Sequence, residues 1–364
     1  MNLIFDNIVF ALQRAGGISV YWYELLSRFL LDSDINCKVL DYSTDNIFRD
    51  KLAISDNKII KAQFNLPIKL ERYINPKECF TNSLFHSSYY RYNRCINTTN
   101  ITTVHDFTYE IYKNGFAKFV HTFQKSQSIL KSGKIICVSN NTKNDLIKFF
   151  PSLNHDNIKV VHNGVDDTYK ILQDRGSSLI KNYINYSTGE YVLYVGDRKS
   201  KYKNFITAVK SCQIQKKPLV IIGGQKLDKF EVDLLISSLG KNNYTQLIGI
   251  DNETLNIIYN NACCLLYPSL YEGFGIPILE AQRAGCPVIS SNLSSIPEVA
   301  GKGAILLNDI NEKNIAEMIF IVDNDSQLKE NLINEGIRNS ANFSWDRCYI
   351  ETKNIYKEIL DKNL

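Results

Sequence analysis

Short apolar runs alternate with helix-like stretches along the chain, and this alternation constrains the fold more than any other feature. The runs lack the two-residue period of half-exposed strands, as expected of parallel strands covered on both faces. Strands that alternate with helices predict an α/β fold. The predicted strands are 2–5, 38–41, 102–105, 135–139 and 159–162 in the first half, and 191–195, 219–222, 246–248, 263–267, 287–290 and 304–307 in the second.

The length of the chain predicts the number of domains. A chain of 364 residues exceeds what one hydrophobic core usually serves, so two domains are expected. The stretch 166–184 has few large apolar residues and many turn-forming ones, which indicates a connection between domains. We therefore predict one Rossmann-like domain over 1–168, a second over 169–343, and a final amphipathic helix over 344–364.

One strand–loop–helix segment carries the most specific functional signal. The apolar run 262–267 leads into a glycine-containing loop, and Pro277 stands at the start of the helix-like stretch that follows. Proline fits the first turn of a helix, so the loop amides would lie at a helix N-terminus, which binds phosphate well. Glu272 and Glu280 bracket the loop and add acceptors for sugar or ribose hydroxyls. The pattern is typical of a nucleotide-sugar site.

This segment resembles the signature of the family-4 retaining glycosyltransferases, which have the GT-B fold. The resemblance implies two Rossmann-like domains that face each other across a cleft, with the last helix crossing back to the N-terminal domain. It also implies that Glu272 meets hydroxyls of the donor sugar and that Glu280 meets the ribose. The amides that would meet the sugar and diphosphate belong to Gly273, Phe274, Gly275 and Ile276.

A second segment, 194–205, places a basic loop between a strand and a helix. Arg198 and Lys203 match the arginine and lysine with which the family grips the donor's diphosphate. Cations there would neutralise the charge that develops on the leaving nucleoside diphosphate. Lys199 and Lys201 make the loop more basic than the family requires, so more than one lysine could bind the phosphates. A plain surface loop is the alternative interpretation.

Two segments of the first half also match the family. Gly16 and Gly17 precede a helix with aromatic residues, as in many members that build bacterial surface polysaccharides, and the resemblance places them beside the donor or acceptor. His105 follows an apolar strand and by resemblance would contact the donor's reacting sugar, without acting as a general base. The resemblance further implies acceptor contacts at Asp106 and Tyr109.

Composition bears on partners and location. The first half is basic, and the segment 58–94 mixes basic with aromatic residues, which suits a membrane interface. No apolar run could span a bilayer, and Asp6 interrupts the apolar start, which therefore predicts a strand and not a signal peptide. Nine scattered cysteines predict reduced thiols in a cytoplasmic protein. The basic residues accompany no nucleic-acid-binding motif.

Other classes of protein fit less well. The D-x-D sequences 32–34 and 323–325, which a metal-dependent GT-A transferase would need, follow helix-like stretches and predict polar turns. A glycosidase would not need a phosphate-binding loop between its two carboxylates, and a dehydrogenase would need a glycine fingerprint that this sequence lacks. A non-catalytic nucleotide-sugar binder or scaffold of the same fold remains the alternative.

The resemblance thus predicts a retaining hexosyltransferase that passes a sugar from a nucleoside diphosphate to a hydroxyl of a lipid-linked glycan, in O-antigen or capsule synthesis. GDP-mannose is the first choice of donor, because the motifs are similar to those of O-antigen mannosyltransferases. The family needs no essential metal, so no cofactor is expected. The expected partners are the nucleotide-sugar, the lipid-linked acceptor and the cytoplasmic face of the inner membrane, with no nucleic acid.

Overall fold

The computed structural model describes residues 2–63 and 66–361, which form two compact α/β units. The first unit comprises the chain up to Gly164 together with the chain from Trp345, and the second comprises Val165–Ser344. The sequence analysis placed these boundaries after residues 168 and 343. Each unit is described separately below.

The first unit is built on a seven-stranded parallel sheet. Its strands are β1 (Asn2–Asp6), β2 (Asn36–Asp41), β3 (Ile59–Lys61), β4 (Ser83–Ser87), β5 (Thr98–Val104), β6 (Ser132–Cys137) and β7 (Ile158–Val160). They lie in the order β3-β2-β1-β4-β5-β6-β7, and all neighbours are parallel. The order reverses between β1 and β4, and ligands bind to such sheets at the carboxyl ends of the strands beside this switch point.

The second unit is built on a six-stranded parallel sheet. Its strands are β8 (Val192–Val195), β9 (Leu219–Ile222), β10 (Tyr244–Leu247), β11 (Cys264–Tyr267), β12 (Val288–Ser291) and β13 (Ile305–Leu307). They lie in the order β10-β9-β8-β11-β12-β13, with all neighbours parallel, which is the strand order of the Rossmann fold. Its switch point lies between β8 and β11. The prediction of two parallel-sheet α/β domains is therefore confirmed.

Helices connect the strands in both units. The first unit contains α1 (Ile8–Leu12), α2 (Gly17–Leu31), α3 (Ile47–Lys51), α4 (Ile68–Glu71), α5 (Thr108–Tyr112), α6 (Gly115–Leu130) and α7 (Asn140–Phe149). The second contains α8 (Phe205–Gln215), α9 (Lys229–Leu239), α10 (Asn252–Asn261), α11 (Ile276–Arg283), α12 (Ile296–Ala300), α13 (Glu312–Asn324) and α14 (Ser326–Ser340). The last helix, α15 (Trp345–Asp361), belongs to the first unit.

Helix α15 is anchored in the core of the first unit, as the resemblance implied. Tyr356 stacks on Phe29 with ring centroids 5.3 Å apart, and its hydroxyl lies 2.6 Å from Nδ1 of the buried His86 on β4. The other ring nitrogen of His86 lies 2.9 Å from Oγ1 of Thr103. Because these polar groups are buried, their hydrogen bonds fix the position of the helix.

The sequence analysis predicted neither β3 nor β4. Strand β3 is a three-residue edge strand. Strand β4 is fully buried, yet its sequence Ser-Leu-Phe-His-Ser alternates polar and apolar residues. Strand β4 was missed because its sequence has no continuous apolar run. Its polar side chains can nevertheless be buried, because His86 and Ser87 have hydrogen-bond partners in the core.

The segment predicted to connect the domains is part of the second unit. Asparagines on α10 accept hydrogen bonds from its backbone: Asn256 Oδ1 from the Lys170 amide at 3.1 Å, and Asn260 Oδ1 from the Leu172 amide at 2.9 Å. These side-chain bonds act together with the buried side chains of Tyr169, Ile180 and Ile184 to hold the segment on the second unit.

One expectation from composition is wrong. Cys79 and Cys95 form a disulfide with Cα atoms 5.4 Å apart, so not all nine cysteines are reduced. They lie in the connections that precede the neighbouring strands β4 and β5, and the sheet brings these connections together.

The described residues of the segment 58–94 differ in exposure. Phe85 is buried and Arg91 is buried against the carboxylate of Asp6, whereas Lys61 and Arg94 are exposed. A membrane contact of this segment stays a prediction.

Within residues 2–63 and 66–361, no helix combines the length and the apolar character that crossing a bilayer requires.

Candidate functional site

The loop between β11 and α11 lies at the switch point of the second sheet. Gly275 is the N-cap of α11 and has φ 109°, a left-handed conformation that favours glycine. It has no side chain with which to cap the first amides of the helix, and Pro277 stands in the first turn, as predicted. A helix N-terminus of this kind suits an anion. In its first turn Pro277 has no N–H and the Ile278 amide donates to the Gly275 carbonyl at 3.0 Å, so Ile276 is the first helical residue that could donate to such a group.

Two serines in the connection after β12 hold this loop in place. Ser294 Oγ accepts a hydrogen bond from the Glu272 amide at 3.1 Å and lies 2.6 Å from the Glu272 carbonyl oxygen. Ser295 Oγ donates to the Phe274 carbonyl at 2.9 Å. These bonds engage the backbone, so they fix the loop without using the carboxylate of Glu272.

The structure brings Lys203 and Glu272 together from two different loops. Lys203 follows β8 and Glu272 follows β11, and Nζ lies 2.5 Å from Oε1. The ammonium group also lies 5.4 Å from the centre of the Tyr267 ring. Lys199, in contrast, is more than half exposed and lies 3.5 Å from Asp228. Lys203 is therefore the lysine placed beside the predicted phosphate-binding loop.

Arg198 occupies a different environment from the one its predicted role needs. Its side chain is only 1% exposed, and Nε donates to Glu231 Oε1 at 2.9 Å. The other two nitrogens donate to the carbonyl oxygens of Gly223 at 2.6 Å and Gln225 at 2.5 Å. In this conformation Arg198 ties the β8 loop to the β9 loop, and a contact with diphosphate stays a prediction that would require these bonds to change.

Glu280 lies on α11, beyond the loop. The Tyr259 hydroxyl donates to Glu280 Oε2 at 2.9 Å. Burial raises the pKa of Glu280 from its ordinary 4.5 to about 7, although hydrogen bonds from Tyr259 and Tyr169 oppose this shift. Near neutral pH the carboxyl group is therefore present in both protonation states, which affects how it can accept hydrogen bonds from a ribose.

A cavity of about 210 Å³ lies at the switch point of the first sheet. Residues from the connections after β1, β4 and β5 line it, together with residues of α2, α5 and α6. They include Gln13, Ile18, Arg72, Ser88, Tyr89, Tyr90, Thr103, His105, Asp106, Tyr109 and His121. The structure thus collects the predicted residues His105, Asp106 and Tyr109 around one cavity.

The predicted glycine pair stands in the chain between Gln13 and Ile18, which line this cavity, and is not itself among the lining residues. Gly16 is the N-cap of α2, and Gly17 is its first residue. A Cβ on Gly16 would stand 2.9 Å from Oε1 of Gln13, whereas a Cβ on Gly17 would meet nothing within 4 Å. Gly16 thus leaves room for the end of the Gln13 side chain, which lines the cavity and donates to Ser19 Oγ at 2.7 Å.

His105 is neutral at physiological pH. Its ring packs edge-to-face against Tyr21 with centroids 4.9 Å apart, and burial lowers its pKa to about 4. Its buried Nε2 has no hydrogen-bond partner among the residues that the structure describes. An unpaired buried nitrogen beside a cavity is a natural contact for a ligand hydroxyl.

Sequence reasoning missed Arg72, Tyr89 and His121. The Arg72 guanidinium lies between the rings of Tyr73 and Tyr89, 4.9 Å from each centroid, and donates to the Tyr89 hydroxyl at 2.5 Å. Within the described parts of the chain, no carboxylate lies within 4 Å of it, and its Nε has no partner. His121 stacks on Tyr109 at 3.9 Å. The basic and aromatic composition of 58–94 signalled Arg72 and Tyr89, but it was interpreted as a surface.

In the described ranges, no group of three or more His, Cys, Asp or Glu side chains is arranged to hold a metal ion.

Family models match both halves of the chain. The model described as Glycosyltransferase Family 4 matches residues 15–169, and the model described as Glycosyl transferases group 1 matches residues 176–339. The second match contains Lys203, Glu272 and Glu280.

Proteins of similar sequence include two named mannosyltransferases and an uncharacterized glycosyltransferase. The O-antigen chain mannosyltransferase B of Escherichia coli is 30% identical over 174 residues, which cover 46% of this chain and 45% of that protein. The O-antigen chain mannosyltransferase RfbU of Salmonella typhimurium is 28% identical over 219 residues, or 58% of this chain and 57% of that protein. The matches thus span about half the length of these two relatives. The uncharacterized glycosyltransferase MJ1178 of Methanocaldococcus jannaschii is 25% identical over 95% of both chains.

Solved structures share the fold. HepE of Anabaena, crystallised with UDP-glucose, superposes with a TM-score of 0.73 at 14% identity and covers 99% of this chain and 100% of its own. A glycosyltransferase of Rickettsia africae superposes with a TM-score of 0.71 at 16% identity and covers 99% of this chain and 98% of its own. The chain therefore belongs to the family-4 glycosyltransferases of the GT-B fold.

Proposed function

We propose that this protein is a retaining hexosyltransferase that moves a sugar from a nucleoside diphosphate to a hydroxyl of a lipid-linked glycan. The observation that carries the proposal is the pairing of Lys203 with Glu272 beside the open N-terminus of α11. A cation and helix amides there suit the diphosphate and the negative charge that it gains as it leaves. The carboxylate suits the hydroxyls of the sugar.

Donor binding would exchange the partners of the ion pair. The diphosphate would take the ammonium group of Lys203 and the first amides of α11, and Glu272 would then accept hydrogen bonds from hydroxyls of the sugar. The ionised carboxylate of Glu280 would accept hydrogen bonds from the hydroxyls of the ribose. As the bond to the diphosphate breaks, Lys203 and the amides stabilise the growing negative charge, which is the task a metal ion performs in other transferases.

The cavity of the first unit suits the acceptor and the reacting sugar. His105 is neutral and has an unpaired ring nitrogen, so it can bond a sugar hydroxyl without adding charge. Asp106 and Tyr109 would contact the acceptor, with Tyr89 and Tyr90 offering aromatic faces to sugar rings. Arg72 is a cation without a carboxylate partner within salt-bridge distance among the described residues, which favours an acceptor that carries phosphate, as a lipid-linked glycan does.

Retention of configuration is proposed from the resemblance. The leaving phosphate would accept the proton of the attacking hydroxyl on the same face of the sugar, so Glu272 orients and does not form a covalent intermediate. GDP-mannose is proposed as the donor because two relatives are named mannosyltransferases. We place the protein at the cytoplasmic face of the membrane that holds the acceptor, in O-antigen or capsule synthesis.

A thermal-shift screen against GDP, UDP, dTDP and their sugar conjugates, with and without EDTA, tests the donor site. A ligand held at about 100 times its dissociation constant adds roughly 2.7 kcal/mol to the free energy of unfolding. We expect one nucleotide to raise the midpoint regardless of EDTA, and the Lys203→Ala variant to lose that shift. Absence of a shift from every nucleotide would contradict the proposal and favour the scaffold alternative.

A further inference from the structure

Helix α6 has its polar side inside and its aromatic side outside. Its buried residues are His121, Gln124, Lys125, Ser128 and Ile129. The apolar side chains on its outer side are exposed, with values of 81% for Phe116, 67% for Phe119, 58% for Phe123 and 54% for Leu130. A surface helix normally has the opposite arrangement, with its apolar stripe toward the core.

Buried polar contacts fix this orientation. Lys125 Nζ lies 2.7 Å from Glu110 Oε2 and donates to the Asp106 carbonyl at 2.9 Å. Gln124 donates to the Arg72 carbonyl at 2.5 Å. If the helix were rotated to bury its phenyl rings, Lys125 and Gln124 would lose these partners. A buried charge without its partner destabilises the fold. The outward aromatic side chains therefore follow from the packing of the unit.

The exposed surface extends beyond α6. Ile111 and Tyr112, at the end of α5, are 42% and 38% exposed and come just before the helix. We call the exposed side chains of Ile111, Tyr112, Phe116, Phe119 and Phe123 the α6 outer face. Neighbouring exposed apolar side chains of this kind mark a surface that another apolar phase or molecule covers.

The exposed charges at the two ends of α6 have one sign. Between residues 107 and 131, the charged side chains that are not buried are Lys113, Lys118 and Lys131. Lys113 and Lys131 flank the helix, whereas Lys118 lies about 200° round it from Phe116, on the side of the buried Lys125. The acidic residue of this stretch, Glu110, is buried against Lys125. Aromatic residues flanked by lysines are typical of helices that lie in the interface of an anionic bilayer, where rings enter the acyl boundary and ammonium groups meet lipid phosphates.

We propose that the α6 outer face inserts into the interface of a membrane that contains anionic phospholipid. The same helix contributes His121 to the cavity on its inner side. Docking would therefore hold the cavity about one helix diameter, roughly 10 Å, from the lipid surface. This spacing suits an acceptor that is tethered to lipid, a consequence that rests on the function proposed above, whereas the docking itself does not.

Vesicle flotation of the full chain tests the proposal. The probes are vesicles of phosphatidylethanolamine with phosphatidylglycerol, and vesicles of phosphatidylcholine alone, at low and high salt. The test variant is Phe116→Ser/Phe119→Ser. The matched control is Phe230→Ser/Phe320→Ser, which removes two phenyl rings that are 65% and 55% exposed on the second unit.

We expect the wild type and the control to bind phosphatidylglycerol vesicles, with binding weakened by salt, and the test variant to bind at least about tenfold less. An unchanged unfolding midpoint and an unchanged nucleotide shift in the test variant would show that folding and donor binding are intact. Equal binding by wild type and test variant, or no binding by wild type, would overturn the proposal.

The oligomeric state supplies an independent check. If sedimentation shows a wild-type dimer that Phe116→Ser/Phe119→Ser converts to a monomer, a second copy of the chain covers the α6 outer face, and the membrane proposal is wrong. A failure of the nucleotide screen with vesicle binding intact would overturn the proposed function and leave the docking surface standing.

Discussion

The sites of the two units occupy the same topological position but differ in chemistry and in how the sequence supplies them. In the second unit, an ion pair and a helix N-terminus stand between β8 and β11. In the first unit, a cavity with two histidines, three tyrosines and Arg72 stands between β1, β4 and β5. The strand order determines where a ligand can bind, and the loops determine which ligand. The predictions below test this contrast between a charged site, proposed to bind the donor, and an aromatic cavity, proposed to bind the acceptor.

The largest expected effect is on Glu272. Glu272→Gln keeps the backbone bonds to Ser294 and Ser295 but removes the charge that pairs with Lys203 and replaces one of the two oxygens that would accept from sugar hydroxyls with an amide donor. We expect turnover to fall by about 10²–10³-fold, as for loss of a principal transition-state contact. Glu330→Gln, an exposed residue of α14, is the control. Steady-state kinetics with an unchanged unfolding curve checks the prediction, and near-normal turnover would contradict it.

Substitutions of Arg198 and Lys203 should affect different properties, although the sequence predicts the same role for both residues. Arg198→Met breaks a buried ion pair with Glu231 and should lower the free energy of unfolding by about 3–5 kcal/mol. Lys203→Met leaves Glu272 without its cation in a pair whose side chains are 15% and 11% exposed, so we expect a smaller loss of stability than for Arg198→Met. It should weaken nucleoside diphosphate binding about tenfold or more. Urea unfolding and calorimetry measure the two effects. A folded, stable Arg198→Met variant that binds no diphosphate would restore the role predicted from the sequence.

Arg72 should affect only the acceptor. Arg72→Gln removes the cation between Tyr73 and Tyr89, so we expect the KM for a phosphate-linked glycan to rise about tenfold, as for loss of a charge-assisted hydrogen bond. The KM for the donor should not change. Comparison with the same glycan without phosphate is the control, because Arg72→Gln should not weaken its binding. Equal effects on both glycans would show that Arg72 does not bind the phosphate of the acceptor.

Glu280 should give donor binding a pH dependence near neutrality. Its pKa of about 7 means that the ribose acceptor becomes ionised as pH rises through that value, so affinity for the nucleotide-sugar should increase there. Stability should change in the opposite direction. The folded protein holds this proton more tightly than the unfolded chain, so the contribution is complete below about pH 4.5 and is lost as pH rises to about 7. Glu280→Gln should flatten both profiles, and profiles that Glu280→Gln leaves unchanged would contradict the assignment.

The geometry of the proposed donor site was largely predictable because its parts are close in sequence or follow recognisable strands. Gly275, Pro277 and the two glutamates lie within one strand–loop–helix unit whose local geometry the residue types require. The pairing of Lys203 with Glu272 needed only the rule that loops after neighbouring parallel strands meet at one edge of the sheet. The inward turn of Arg198 was not predictable, because its partner Glu231 belongs to a different connection with no motif of its own.

The acceptor cavity was predictable only in part. His105 and Asp106 could be placed from the end of an apolar strand, but Arg72, Tyr89 and His121 come from three separate connections. Basic and aromatic residues in 58–94 predicted a membrane surface, which stays a prediction, and composition could not report that Phe85 and Arg91 of this segment are buried. The α6 outer face, which has the exposure that such a surface needs, lies elsewhere and was not predicted.

The sequence by itself determined the α/β class, the two parallel sheets, the glycine loop that leads into α11 and the family, because apolar periods, proline and glycine act over a few residues. Only the tertiary structure decided which cation faces the loop, which residues surround the first cavity, and which side of α6 faces outward. These depend on contacts between groups far apart in the chain, such as Lys125 with Glu110 and Asp106, and Arg198 with Glu231. Burying a charge forces its side chain toward the partner that neutralises it, and that partner is known only when the chain is folded.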